Sequence, residues 1–221
     1  YSMGNCCERP QFNDEQAFQD FWGHLNIRSK EHKDLEEYIS LRAKKGKLSD
    51  KDFKKVVDEF LLSLERKQDN LYRSFWIDTW ENAVTGENSF SLIASLFFLC
   101  EVNEENFVSA FEGLMDSLQN EKKESNKAQL RSLLKYYMNL LTNFCSSHLL
   151  TLEIINQDDL QTIHNLYEDK YLEATVKKLL NEVKDDVDII EFLKSNYKFL
   201  ADDRKVRQSI STTYKEINKS Q

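Results

Sequence analysis

The side chains in this chain best suited to chemistry are a set of oxygen donors and a pair of thiols. Asp78, Asn82 and Glu87 fall within one polar stretch, 78–89, bounded by Phe75-Trp76-Ile77 and Phe90. Oxygens at alternate positions of a twelve-residue loop are what a calcium ion takes. Asp78 holds the first position and Asn82 the fifth. Trp80 stands at the third and Ser89 at the twelfth, where an oxygen donor and a bidentate Glu are needed. The set falls short of a metal site. Weak calcium or magnesium binding through Asp78, Asn82 and Glu87 is the residual candidate, and no cofactor is otherwise expected.

The thiols suggest lipidation. From Met3 the chain reads Met-Gly-Asn-Cys-Cys-Glu-Arg-Pro, with Tyr1-Ser2 ahead of it as an apparent cloning remnant. Removing Met3 exposes Gly4 for myristoylation and leaves Cys6 and Cys7 beside it for palmitoylation. Glu8 departs from the usual Ser or Thr. One myristoyl chain binds a membrane only marginally, so a second lipid is needed, and the two cysteines supply it. The expectation is a disordered acylated segment, 1–12, that tethers the protein to the cytoplasmic face of a membrane. Cys100 and Cys145 lie in apolar helical contexts, which predicts buried thiols in a reducing, intracellular compartment.

Other chemistries find no constellation. His24, His32, His148 and His164 stand alone, and although His148 follows Cys145 by three, no second pair completes a zinc site. There is no Gly-rich phosphate loop, nucleophile elbow or HExxH. The pairs Asp158-Asp159 and Asp185-Asp186 read as helix caps rather than acid–base dyads. An enzyme is therefore not expected. A net charge of −8 argues against a general nucleic-acid binder, and no apolar run reaches the ~18–20 residues that span a bilayer.

The elements that must carry these residues are helical. Among 221 residues, 40% hydrophobic and 31% charged, there are only five Gly and one Pro, too few for many sharp turns or strand edges. The i, i+3, i+4, i+7 spacing recurs throughout. Phe18, Phe21, Trp22 and Leu25 mark a first helix capped by Asn13 or Asp14. Leu35, Tyr38, Ile39 and Leu41 mark a second. Gly46 then sits at the sixth loop position, Leu48 at the eighth, Ser49 at the ninth and Asp52 at the twelfth, but Leu41, Ala43 and Lys45 occupy ligand positions. A third pair carries Phe107, Phe111 and Leu114 before a polar segment 116–127 and Leu130, Leu133, Leu134, Tyr137 and Leu140 after it. Lys122, Lys123 and Lys127 in that segment oppose a cation. The fourth has Val176, Leu179 and Leu180 before a loop ending Val187-Asp188-Ile189-Ile190-Glu191-Phe192, where only Glu182, Asp188 and Glu191 could give oxygens.

Four such helix–loop–helix units, their order, and the Met-Gly-Asn start resemble the neuronal calcium sensor and calcineurin B branch of the EF-hand superfamily. The resemblance covers roughly residues 35–200 and lacks the D-x-[DN]-x-[DN]-G-x5-E loop signature. It implies an all-α fold of paired helix–loop–helix units, about nine to eleven helices in two lobes, 13–115 and 116–221, the second ending in a C-terminal helix. It also implies an apolar groove that seats an amphipathic helix of a partner protein. Phe53, Val57, Phe60, Trp76, Trp80, Phe90, Ile93, Leu96 and Phe97 are the candidates to line it. Phe97-Phe98-Leu99 needs cover from a partner helix, an acyl chain or the chain's own segment 197–217. With its ligands lost, the scaffold reads as a calcium-independent, membrane-tethered, non-catalytic adaptor. Two alternatives remain open: a calcium sensor with non-standard loops, and a structural subunit of a cytoskeletal or ciliary assembly.

Overall fold

A computed structural model of the protein describes residues 13–24, 32–42, 49, 51–52, 55, 103–105, 107–108, 111, 125–151 and 153–219. The fold is all-α, and no strand occurs among the described residues. Helix α1 is Asp14–His24 and α2 is His32–Arg42. After helical residues at 104–105, 107–108 and 111, α3 runs Asn126–Asn139 and continues through a π turn, Leu140–Phe144, into α4, Cys145–Thr151. Then come α5 (Gln157–Leu166), α6 (Asp169–Leu179), α7 (Ile189–Leu200) and α8 (Asp203–Lys219).

Caps decide where these helices begin. Asn13 Oδ1 accepts the Gln16 amide at the head of α1, as its sequence position predicts. Ser125 caps α3 through Ala128, and Asn156 with Asp159 forms a reciprocal capping box on α5. Asp158-Asp159 thus act in the first turn of a helix, as expected. At α7 the cap is Asp188, which accepts the Glu191 amide, rather than Asp185 or Asp186.

Helix α3 is the central rod. Leu130, Leu133, Leu134, Tyr137 and Met138 are all buried, and they face α6 and α7. The π turn follows directly on this stripe. Thr142 Oγ1 reaches back to the Met138 carbonyl at 2.7 Å and Cys145 Sγ to the Leu140 carbonyl at 3.0 Å. Leu141, Cys145 and Leu149 then stay in the core. Cys145 is the buried thiol that its context predicts.

The core is continuous across the described residues. Phe107 meets Tyr137 and Tyr197 edge-on at 6.1 and 5.5 Å, and Phe111 meets Tyr137 at 5.5 Å. Helix α1 packs on α4 and buries Ala17, Phe18 and Phe21 in the same cluster. These contacts cross position 115. The apolar spacing is corrected at one place: Leu41 is 76% exposed. Ile39 takes the core-facing position on α2, and two residues further on the helix has turned ~200°. Arg42 stacks over the Tyr38 ring at 3.3 Å and covers the flank instead.

Leu134→Ala is expected to cost about 2–5 kcal/mol through the cavity it leaves in the rod. Leu41→Ala is expected to change stability by less than about 0.5 kcal/mol. Urea denaturation of the two variants checks the pair, and comparable losses would contradict the burial pattern.

Candidate functional site

The feature of the described structure that bears most directly on cation chemistry is the loop joining α6 to α7. Its chain path consists of short turns: the Asn181 amide bonds to Lys178 O, Val183 to Leu180 O, and Val187 to Lys184 O. Such a loop leaves carbonyl oxygens that need a donor. The first turn of α3 provides three. Lys127 Nζ donates to Val183 O at 2.7 Å, the Lys127 amide to Asp185 O at 3.3 Å, and Asn126 Nδ2 to Val187 O at 3.0 Å.

Lys127 therefore does something other than neutralise a carboxylate within its own segment. It lies inside helix α3 and carries its charge to a carbonyl of a loop 56 residues away. The nearby cleft of about 460 Å³ is lined by Lys127, Arg131 and Lys177 with Asp185 the lone anion. That lining repels a metal cation. Of the oxygens assigned to this loop, Asp188 is committed to the α7 cap, and Glu182 and Glu191 are solvent-exposed. Among the described residues no group of three or more His, Cys, Asp or Glu is placed to hold a metal ion.

Ser49 and Asp52 repeat the local device of Asp188 and Glu191. Ser49 Oγ accepts the Asp52 amide at 3.2 Å and donates to Asp52 Oδ2 at 2.7 Å. In both segments the residue read as loop position nine caps the backbone of position twelve. Its oxygen is thereby used for helix initiation.

A second polar cluster joins α1 to α8, and nothing in the sequence pattern announces it. Arg207, 2% exposed, donates through Nη2 and Nε to both Glu15 oxygens at 2.8 and 3.2 Å, and through Nη1 to Asp203 at 3.0 Å. Its guanidinium lies 4.5 Å above the Phe18 ring. Tyr167 donates to Asp14 Oδ2 at 2.7 Å, and a polar cleft of about 460 Å³ opens beside them between Gln16 and Gln208. Burial works against the Arg207 charge, but its hydrogen bonds to Glu15 and the charge of Asp203 outweigh it, so the guanidinium is held above its usual range. Burial, reinforced by Asp14, pushes the Tyr167 phenol well above its ordinary value near 10. Each of these groups is paired with another, and the cluster clamps the first helix onto the last.

Gly4, Cys6 and Cys7 lie outside the described residues, as do Asp78, Asn82 and Glu87. So do the groove candidates Phe53, Val57, Phe60, Trp76, Trp80, Phe90, Ile93, Leu96 and Phe97. Compared with protein-family models, curated proteins and solved structures, the chain matches none.

Glu15→Ala is expected to lower stability by about 3 kcal/mol, because Arg207 stays charged and buried with Asp203 alone. In the unfolded chain the Tyr167 phenol ionises near pH 10 and in the fold well above it. Its contribution is therefore intact below about pH 10 and is lost as pH rises toward the folded value. Denaturation across pH 9–12 should show that decline in the wild type and a shallower one in Tyr167→Phe; identical slopes would remove Tyr167 as its source.

Proposed function

We propose that this chain is a non-catalytic adaptor of EF-hand-like design whose loops keep their shape without calcium. It binds an amphipathic helix of a partner protein and is held at the cytoplasmic face of a membrane by acylation at Gly4, Cys6 and Cys7. In this proposal its helices form paired units in two groups, 13–115 and 116–221, with α1 clamped to the second group through Arg207.

One observation carries the proposal: three carbonyls of the 180–188 loop are met by Lys127 and Asn126 from the head of α3. A sensor loop gathers carboxylates whose mutual repulsion the ion relieves, and without the ion the loop loses its shape. Here an ammonium and an amide act in that capacity and are permanently attached. Helix pairs around such a loop have one arrangement in place of two, which suits constant binding better than switching.

A micromolar calcium site would add about 4 kcal/mol at a thousandfold excess of ion. In a domain of this size that raises the melting temperature by roughly 8–16 °C. The expected shift between millimolar calcium and a chelator is below about 1 °C; a rise above about 5 °C would sink the proposal. Lys127→Met should cost about 1–3 kcal/mol by leaving Val183 O without its charged donor, equally with and without calcium. Mass spectrometry of the native N-terminus checks the lipids.

A further inference from the structure

Helix α8 is built in two unlike halves. The first is buried and bolted: Val206, Ile210 and Arg207 are 0, 0 and 2% exposed, and Arg207 reaches both Glu15 and Asp203. Beyond Thr213 the hold changes character. Tyr214 and Ile217 are only half-buried, and the Tyr214 ring meets Tyr171 of α6 edge-on at 5.0 Å. Asn218 exchanges hydrogen bonds with the Tyr171 hydroxyl at 3.1 and 3.4 Å. Lys178 of α6 pairs with Glu216 and reaches Thr213 Oγ1 at 3.3 Å. Both side chains of that ion pair are more than half exposed, and such pairs contribute little. Tyr214 and Ile217 still pack on the core, but the polar contacts of this half are at the surface, and releasing it strands no buried charge as releasing Arg207 would.

Beneath it lies a prepared surface. Tyr171 is 3% exposed, and Lys178 is on the same face of α6 one heptad further on. An aromatic ring edge, a phenol hydroxyl and an ammonium make a site for a helix that presents an aromatic residue, then an acid two positions on and an amide four positions on. Tyr214, Glu216 and Asn218 have that spacing.

We infer that the second half of α8 is a resident strap on a helix-binding face of α6, and that a partner helix with the same aromatic–acid–amide pattern takes this face by displacing residues 214–219. The inference rests on the adaptor function proposed above and locates its partner.

The test uses the full chain and, as probe, a fluorescently labelled synthetic peptide of residues 203–219. Tyr214→Ala with Asn218→Ala loosens the strap and leaves α6 intact; Glu216→Lys does so by repelling Lys178. Amides of 214–219 should exchange hydrogen at least tenfold faster in the variants, with 206–210 unchanged. The probe should bind them at least tenfold more tightly than the wild type. Protection of 214–219 retained in both variants overturns the inference. So does a strap that opens without any gain in probe binding. A wild-type chain that binds the probe just as well removes the strap and leaves the adaptor function standing, while calcium dependence is read separately from the melting temperature.

Discussion

The nine residues that join α6 to α7 have backbone carbonyls that need hydrogen-bond donors, and Val183 O takes its donor from the Lys127 ammonium. The ammonium can be there because α3 begins beside the loop, and α3 begins there because Ser125 caps it and the Lys127 amide bonds to Asp185 O. Residues 125–127 thus start the central rod, and Asn126 and Lys127 among them hold the loop beside it. Down the rod, Arg131 pairs with Glu173 and Lys135 with Asp169 at 2.9 Å, so α6 is laid along α3 by side chains one turn apart. These exposed pairs add little energy. They set register, and the buried leucines of α3 supply the free energy.

The second constraint is the buried guanidinium of Arg207. A charge removed from water is tolerated only when paired and hydrogen-bonded. Arg207 has two carboxylates and an aromatic face, taken from α1 and from its own helix. The energy of such a pair is modest, but its geometry is demanding. A slip of α1 by one residue would separate Glu15 from Arg207 and Asp14 from Tyr167 together, and would move Phe18 off its place beneath the guanidinium. Helix α1 is therefore fixed to α8 by the geometry of these polar contacts. Tyr167, at the turn between α5 and α6, is tied from the other side as well, since Asn143 of the π turn donates to its carbonyl at 2.8 Å.

Local physics made much of the helical skeleton legible from sequence. Asn13 precedes an apolar periodicity and caps it; Leu130, Leu133, Leu134, Tyr137 and Leu140 repeat at helical spacing and are buried. Of the lysines in the polar segment 116–127, Lys127 belongs to the helix and serves a different loop. What escaped notice depends on distance. The π turn interrupts an apolar spacing that runs through it unchanged, so nothing in the pattern signals it. Helix α5 has few apolar residues and is defined by its capping box, so the four-unit rhythm passes over it. Glu15 and Arg207 are 192 positions apart, and no periodicity connects them. Leu41 follows a stripe drawn one residue too wide.

Along α8 the polar contacts are of two kinds: in the first half the Arg207 charge is buried and multiply bonded, and in the second half the charges lie at the rim. A buried charge left without its partner carries a desolvation penalty that water at a rim removes. Opening the first half of α8 would strand Arg207, whereas opening the second half would hydrate Lys178, Glu216 and Asn218 and expose Tyr171, Tyr214 and Ile217 without stranding a buried charge. The helix is continuous through both halves, and its last turn also lacks intrahelical donors for its final carbonyls. Among the side chains the difference lies in whether solvent can replace the lost polar contacts, and it follows from an arginine at 207 and a glutamate at 216 on one amphipathic helix.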